Sequence, residues 1–180
     1  EKIYLKKNLY LRELEDHFKK NMIDGVKIKK LIVHQDIPDI KDESLKKGFL
    51  IEVLRNDDGL LDKFGQSTFT IAYQNTIKAF HWHKKQDDLW FVSSGRAFVV
   101  LYDLREKSLT FGEKQIISAG KDDYKLILIP HGVCHGYKVV SKEPVALFYH
   151  TTENYNINKP DEYRIPFDDK KIDIDWNSLK

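Results

Sequence analysis

Histidine side chains form the most informative pattern in this sequence, because four of the seven fall in two short motifs. His81 and His83 flank Trp82, and side chains two apart on a strand project from the same face. His135 follows a Pro-x-Gly turn at the start of another apolar run. Histidine transfers protons near neutral pH and also binds metal ions. If both runs are strands with this face inward, we expect their imidazoles to converge in one cavity and to carry out chemistry there.

Short strands must position these histidines. From residue 48 onward, brief apolar runs are separated by turn residues, and Ser93-Ser94-Gly95 is typical of links between antiparallel strands. Many short strands at close spacing, with no helices between them, favour a sandwich or closed barrel and predict an all-β fold. The expected strands span residues 49–55, 68–74, 77–83, 89–93, 96–104, 115–118, 125–129, 136–140 and 145–149.

Both ends of the chain depart from this pattern. Residues 9–21 place apolar side chains at helical spacing, which predicts one short amphipathic helix, and residues 26–33 suggest a first strand. Near the C-terminus, the alternation of Ile172, Ile174 and Trp176 predicts a segment whose apolar side docks on the barrel. We expect one domain, with a helical extension at 1–24, the barrel at 25–153 and the docked segment at 154–180.

The composition restricts the class of protein. The net charge is +2 over 180 residues, and the lysines are interspersed with Asp and Glu, which gives no basic stripe for nucleic acid. The apolar runs are far too short to span a bilayer. Cys134 is the one cysteine, so no disulfide forms within the sequence, which suits a reducing compartment. We therefore expect a cytoplasmic protein that binds neither nucleic acid nor membranes.

The histidine motifs resemble the two consensus motifs of the cupin superfamily, with His81-x-His83, Asp88 and Gly95 in the first and Pro130-x-Gly132-x-x-His135 in the second. From about residue 48 onward, the chain more closely resembles the dTDP-4-dehydrorhamnose 3,5-epimerase family. The segments that carry this resemblance are Lys47-Gly48-Phe49-Leu50-Ile51-Glu52, Phe64-Gly65-Gln66, Lys78-Ala79-Phe80-His81, Tyr102-Asp103-Leu104-Arg105 with Phe111-Gly112, Ile129-Pro130-His131-Gly132 with His135-Gly136-Tyr137, Phe148-Tyr149, and Phe167-Asp168-Asp169 through Ile174-Asp175-Trp176.

The resemblance implies a cupin-type double-stranded antiparallel β-barrel, or jelly roll, that forms a homodimer. It implies a cofactor-free epimerase of a nucleotide-linked 4-keto-6-deoxy sugar in surface-polysaccharide synthesis. A proton is removed beside the ketone, at C3, C5 or both, and returned on the other face. By position, His81 matches the catalytic base, Asp169 the carboxylate paired with it and Tyr149 the general acid. A carboxylate on the far nitrogen would set the tautomer of the base.

Six further residues are expected to contact the substrate: Glu52, Gln66, Lys78, His83, His135 and Trp90. The first three match positions that bind the nucleotide or its phosphates, and His135 matches a histidine that lines the same pocket. His83 is expected either to act as a ligand in this pocket or to be solvent-facing or hydrogen-bonded. Trp90 alternates with Phe91 on a predicted strand, so one ring packs in the core while the other can stack on a base or sugar.

Two departures from the family pattern lie in the pocket. Asp88 occupies the position of a lysine that is expected to stabilise the enolate, and His83 occupies that of a glutamine. His81, His83, Asp88 and His135 could instead hold one divalent metal ion, whose Lewis acidity would replace the lysine. The alternatives are therefore a metal-dependent cupin isomerase and a barrel that binds nucleotide sugars without catalysis. His81 cannot be both a metal ligand and a free base, which separates the first alternative from the cofactor-free epimerase.

Overall fold

The computed structural model of the protein describes residues 22–35 and 48–180, where nearly all regular structure is β. A 3-10 helix spans Asn56–Asp58. The helix expected over residues 9–21 lies outside the described ranges. The strands are β1 Lys27–Lys30, β2 Val33–Gln35, β3 Phe49–Ile51, β4 Gln66–Ala72, β5 Ile77–Trp82, β6 Asp88–Ser94, β7 Arg96–Asp103, β8 Lys114–Gly120, β9 Lys125–Ile129, β10 Val133–Val139, β11 Val145–Thr151 and β12 Tyr163–Arg164.

The strands form two five-stranded antiparallel sheets that share one core. The first sheet has the order β1-β9-β6-β11-β4, and the second has the order β12-β5-β10-β7-β8. A small third sheet pairs β2 with β3. Strands that are adjacent in the chain are often separated in the sheets, so most pairing is long-range. This arrangement confirms the predicted all-β class.

The main core lies between the two large sheets and is built from alternate residues of their strands. On β7, Val99 and Leu101 point into it, as the two-residue period of a strand requires. On β6, Trp90 points into the same core, whereas Leu89 and Phe91 pack on the outer face of the first sheet. Because β6 is buried on both faces, its sequence is a continuous apolar run instead of an alternating one.

The C-terminal segment packs on the outer face of the second sheet. Ile172 and Trp176 are buried there with Phe80 of β5 and Cys134 of β10. The Trp176 Nε1 group donates a hydrogen bond to the carbonyl oxygen of Phe167 at 2.7 Å. The apolar alternation of this segment therefore predicts its docking correctly. Since the outer face of β5 is covered in this way, its inner face is the one open to a ligand.

Two local expectations are corrected by the structure. The stretch expected to be one strand over residues 26–33 divides into β1 and β2, which lie in different sheets. The Ser93-Ser94-Gly95 turn does connect two strands, but β6 and β7 also belong to different sheets. This turn therefore connects the two sheets and does not close a hairpin. Local sequence encodes the reversal of the chain, whereas the pairing partner depends on the whole sheet.

Gly136 of β10 allows β5 to approach closely. A Cβ at this position would lie 2.4 Å from the Ala79 Cβ and 2.8 Å from the Lys78 carbonyl oxygen. We expect Gly136→Ala to lower the free energy of unfolding by about 3 kcal/mol, because backbone as well as side-chain atoms must move apart. Gly59→Ala is the control, since its φ is +59° but no atom lies within 4 Å of its added Cβ. That change should cost about 1 kcal/mol. Equal losses in urea denaturation would contradict the tight contact.

Candidate active site

Two adjoining cavities lie between the large sheets and share His81, Asp88, Tyr149 and Glu162. The larger has a volume of about 510 Å³ and the smaller about 100 Å³. Binding sites for small molecules commonly have volumes of roughly 300–1,000 Å³. The larger cavity can therefore accept a small organic ligand, and the shared residues mark where that ligand would meet titratable groups.

The register of the strands brings these residues together. His81 on β5 lies directly opposite His135 on β10. On the other sheet, Trp90 on β6 lies directly opposite Tyr149 on β11. Both pairs point into the space between the sheets, so side chains that are distant in the chain surround one volume. The expected convergence of the histidines is present.

His81 is hydrogen-bonded to His135, with 2.9 Å between their Nε2 atoms. The His135 Nδ1 atom lies 2.9 Å from the carbonyl oxygen of Val133. A carbonyl oxygen only accepts, so we assign a proton to the Nδ1 atom of His135. Neutral His135 then accepts at Nε2, and His81 carries its own proton on Nε2. The remaining nitrogen of His81, Nδ1, has a lone pair and no protein hydrogen-bond partner in the described ranges.

The surroundings of His81 keep its ring neutral. Burial, together with the neighbouring His135 and His83, lowers the pKa of His81 far below its ordinary value of 6.5. The negative charge of Asp88 acts in the opposite direction. A neutral imidazole is able to accept a proton, and the nearby carboxylate would stabilise the imidazolium that forms. Asp88 therefore occupies the electrostatic position that was expected for Asp169.

Asp88 is the centre of a buried polar cluster. Its carboxylate accepts hydrogen bonds from Gln86 Nε2 at 2.8 Å and from Trp90 Nε1 at 3.0 Å. The Nε2 atoms of His83 and His135 lie 3.7 and 3.5 Å from its two oxygens. One ligand atom each from these two histidines, Asp88 and His81 can be chosen so that all lie within 4.8 Å of one another. Three imidazoles and one carboxylate at these separations are a donor set that suits a divalent metal ion.

Three other expected residues also line the cavities. Tyr149 is half-buried, and burial raises the pKa of its hydroxyl, which therefore keeps its proton at neutral pH. The Gln66 Oε1 atom accepts a hydrogen bond from the backbone N–H of Tyr155 at 2.8 Å. Lys78 lies at the exposed rim of the larger cavity, where its Nζ donates to the Thr70 hydroxyl at 2.8 Å. These groups can donate to a ligand from different sides.

The structure shows which of the two aromatic rings on β6, Trp90 or Phe91, faces the cavity. Trp90 lines the larger cavity, and Phe91 packs on the outer face of the first sheet. The Trp90 ring is perpendicular to the His135 ring, with 5.1 Å between centroids. Because Trp90 also donates to Asp88, it holds both the carboxylate and a histidine in place. His83 lines the smaller cavity, and its Nδ1 contacts the carbonyl oxygen of Asp161.

Two expected site residues lie elsewhere. The Asp169 carboxylate accepts backbone N–H groups of Lys171 and Ile172 at 2.9 and 3.2 Å. It belongs to the C-terminal segment on the outer face of the second sheet, close to Cys134. Burial of the Cys134 thiol, and second to it the charge of Asp169, raise the pKa of Cys134 to about 12. The expected pairing of Asp169 with His81 is therefore corrected, because the hydrogen-bond partner of His81 is His135.

The other is Glu52, an exposed residue just after β3. Its carboxylate lies 3.5 Å from the Arg55 guanidinium, and it lines neither cavity of its own chain. The expected contact of Glu52 with the nucleotide therefore has no support from the cavities of its own chain. The reason is the separate pairing of β2 with β3, which places this segment away from the strands that enclose the cavities.

Sequence reasoning missed the C-terminal wall of the site. Arg164 of β12 lies opposite His81 in the second sheet and lines the larger cavity. The side chain of Asp161 accepts backbone N–H groups of Lys84 and Lys85 at 3.0 and 2.8 Å, which holds this part of the chain against the loop after β5. No local pattern marks Arg164, because β12 has only two residues and its position depends on pairing with β5.

The fold and the site together define a cupin-type barrel with a titratable, histidine-rich cavity. No helix of the described residues is long and apolar enough to cross a membrane. Residues 22–180 match the sequence profile of the family described as dTDP-4-dehydrorhamnose 3,5-epimerase. The chain belongs to this family of sugar epimerases, which confirms the resemblance seen in the motifs.

Individual relatives agree with this assignment. The Spore coat polysaccharide biosynthesis protein SpsL of Bacillus subtilis (strain 168) is 50% identical over 157 residues, covering 87% of this chain and 98% of that protein. The dTDP sugar isomerase of Desulfovibrio desulfuricans G20 superposes with a TM-score of 0.74 at 28% identity, covering 86% of this chain and 92% of that one. The 3,5-epimerase of Legionella pneumophila in complex with dTDP-4-keto-L-rhamnose has a TM-score of 0.71 at 26% identity, with 86% and 80% covered. The cupin-type jelly roll expected from the resemblance is thus confirmed.

Proposed function

We propose that the protein epimerises a nucleotide-linked 4-keto-6-deoxy sugar beside its ketone, as a step in surface-polysaccharide synthesis. The name of the similar Bacillus subtilis protein and the ligand of the Legionella pneumophila enzyme support this substrate class. The observation that carries the proposal is that His81 and Tyr149, a proton acceptor and a proton donor, line the same cavity.

His81 is the proposed base and acts through its Nδ1 atom. A proton next to a ketone is acidic enough for an imidazole to remove when the carbonyl oxygen is stabilised. His135 positions the ring by its 2.9 Å hydrogen bond, and Asp88 compensates the positive charge that develops on it. Asp169 has no part in this version of the mechanism. The role expected of Asp169 is divided in this proposal: His135 positions the His81 ring, and Asp88 compensates its charge.

Tyr149 is the proposed acid that returns a proton to the other face of the sugar. It lies on the first sheet, whereas His81 lies on the second, so the two groups approach a ligand between the sheets from different directions. The raised pKa of Tyr149 keeps the hydroxyl protonated until the enolate is formed. Opposite placement of acceptor and donor is what inversion of a carbon centre requires.

The nucleotide diphosphate is proposed to bind at the rim of the larger cavity. Lys78 and Arg164 line this cavity from neighbouring strands, and both are exposed cations. The guanidinium of Arg164 can bind phosphate oxygens with two hydrogen bonds, which Lys78 cannot do alone. Gln66 and Trp90 are then the polar and aromatic contacts of the sugar or base, and His83 borders the smaller cavity. The proton transfer leaves the oxidation state of the sugar unchanged, so it calls for no redox cofactor.

A second copy of the chain is the proposed partner, through edge strand β4. Phe69 and Ile71 of β4 are exposed, and the Phe148 ring of β11 lies 4.7 Å from the Phe69 ring. An apolar edge strand with unpaired backbone groups is covered when two copies pair about a two-fold axis. We expect Phe69→Lys to give a monomer by light scattering, whereas Leu109→Lys, at an exposed position of the loop between β7 and β8, should leave a dimer. A dimeric Phe69→Lys variant would contradict this interface.

We place the protein in the cytoplasm, which suits a buried free thiol at Cys134.

Incubation with dTDP-4-keto-6-deoxyglucose in deuterium oxide tests the proposed function. We expect deuterium to enter the sugar beside the ketone and the epimerised product to appear, with mass spectrometry and NMR showing which carbons exchange. The same assay with the corresponding uridine diphosphate sugar identifies the preferred nucleotide. Tight binding of the nucleotide sugar without any exchange would refute the enzyme and favour a binding protein, the reading suggested by the aspartate at position 88.

A further inference from the structure

The buried carboxylate of Asp88 lacks a strong cationic partner. Asp88 is 1% exposed, and in the described ranges its ion-pair contacts are to His83 and His135 alone. The other hydrogen bonds come from the neutral Gln86 amide and the Trp90 indole. A carboxylate at this depth is costly unless a cation compensates its charge. The cluster therefore presents one buried carboxylate surrounded by three imidazoles.

The hydrogen bonds around the cluster leave the inner nitrogen of two histidines without a proton. The Nδ1 atoms of His83 and His135 each contact a backbone carbonyl oxygen, of Asp161 and Val133 respectively. Because a carbonyl oxygen only accepts, both protons are on Nδ1, and both Nε2 atoms are unprotonated and lie 3.7 and 3.5 Å from the Asp88 carboxylate. A backbone or carboxylate acceptor on the outer nitrogen is the usual second-shell arrangement of histidines that bind metals.

We propose that His81, His83, Asp88 and His135 form a binding site for one divalent first-row transition-metal ion such as Zn²⁺. An ion with bonds of about 2.0–2.2 Å to nitrogen and oxygen places neighbouring ligand atoms ~3–4 Å apart. The observed separations are 2.9 Å between His81 and His135, and 3.5 and 3.7 Å from Asp88 to His135 and His83. The remaining separations within the set are at most 4.8 Å, so side-chain shifts of roughly 1 Å bring the four groups to coordination distance. Nitrogen and carboxylate donors without thiolate suit Zn²⁺, Mn²⁺, Fe²⁺ or Ni²⁺.

The site shares His81 with the proton transfer, and this part of the inference rests on the proposed function. When Nε2 of His81 binds an ion, the ring keeps its remaining proton on Nδ1 and cannot accept another. Metal binding and the base role of His81 therefore exclude each other. Protein loaded with Zn²⁺ should exchange sugar protons more slowly than protein freed of metal with a chelator.

Calorimetric titration of chelator-treated protein with Zn²⁺ tests the site directly. We expect one ion per chain, with His83→Gln and Asp88→Asn each weakening the affinity by ~100-fold or more. His131→Ala is the matched control, because His131 forms an exposed pair with Asp87 at 2.7 Å and lies outside the cluster. It should bind Zn²⁺ like the original protein. Circular dichroism checks that each variant is folded, and the visible spectrum of bound Co²⁺ reports coordination independently of activity.

The outcomes separate the metal site from the proposed function. Absence of a stoichiometric ion, or equal binding by folded His83→Gln, overturns the site and leaves the epimerase proposal standing. Stoichiometric binding together with no exchange by either form supports the site and refutes the epimerase. Faster exchange by the Zn²⁺-loaded form supports the site and shows that His81 is not the free base, as in a metal-dependent isomerase.

Discussion

His81→Asn is expected to abolish the entry of solvent deuterium into the sugar, with a loss of at least ~10³-fold in rate. Asparagine can still donate a hydrogen bond to His135, but its amide has no basic nitrogen to accept the proton. The cavity and the cations proposed to bind the diphosphate are unchanged, so binding of the nucleotide should persist. Deuterium uptake measured by mass spectrometry, with nucleotide affinity measured by calorimetry, checks both parts of this expectation.

The control for this change is His131→Asn, at an exposed histidine whose ring is paired with Asp87. It removes an imidazole of the same loop that leads into β10 without altering the cavity, so exchange should remain within about twofold of the original rate. Exchange at the original rate in His81→Asn would show that another group removes the proton. Loss of nucleotide binding together with exchange would instead indicate collapse of the cavity.

Tyr149→Phe is expected to separate proton removal from inversion. Formation of the epimerised product should fall by about 10²-fold, because the donor on the first sheet is lost. His81 can still remove a proton and return a deuteron to the same face, so unreacted substrate recovered from deuterium oxide should carry deuterium. NMR of the recovered substrate and product distinguishes the two steps. This pattern differs from that of His81→Asn, which should lose both.

Tyr137→Phe is the matched variant on the opposite sheet. The Tyr137 hydroxyl is buried without a hydrogen-bond partner in the described residues, and burial raises its pKa to about 12. Removal of this hydroxyl should change product formation by less than about threefold, since it leaves no protein group unpaired. A larger loss in Tyr137→Phe than in Tyr149→Phe would transfer the role of acid to Tyr137.

Much of the architecture could be predicted because it is encoded by local periodicity. The spacing of His81 and His83 placed both imidazoles on one face of a strand, and the structure shows both at the cavities. The alternation of Ile172 and Trp176 predicted the docking of the C-terminal segment, which the buried side chains confirm. Such features follow from which residues avoid water, and each depends on only a few neighbouring positions.

Partners that are distant in the chain could not be predicted in the same way. The family resemblance implied that Asp169 lies beside His81, but β10 brings His135 to that position and the C-terminal segment keeps Asp169 on the outer face. Arg164 reaches the cavity through a two-residue strand that has no periodic signal. Both results depend on the pairing of β5 with β10 on one side and β12 on the other.

By itself, the sequence determined that this protein is an all-β barrel with histidines facing inward and with the ordered motifs of a sugar-epimerase family. Only the tertiary structure decided which nitrogen of His81 is free, which groups orient it, and that Asp88 lies buried among three imidazoles. The physical reason is that burial patterns act over a few residues, whereas hydrogen bonds inside the cavity are set by the register between strands that are far apart in the chain.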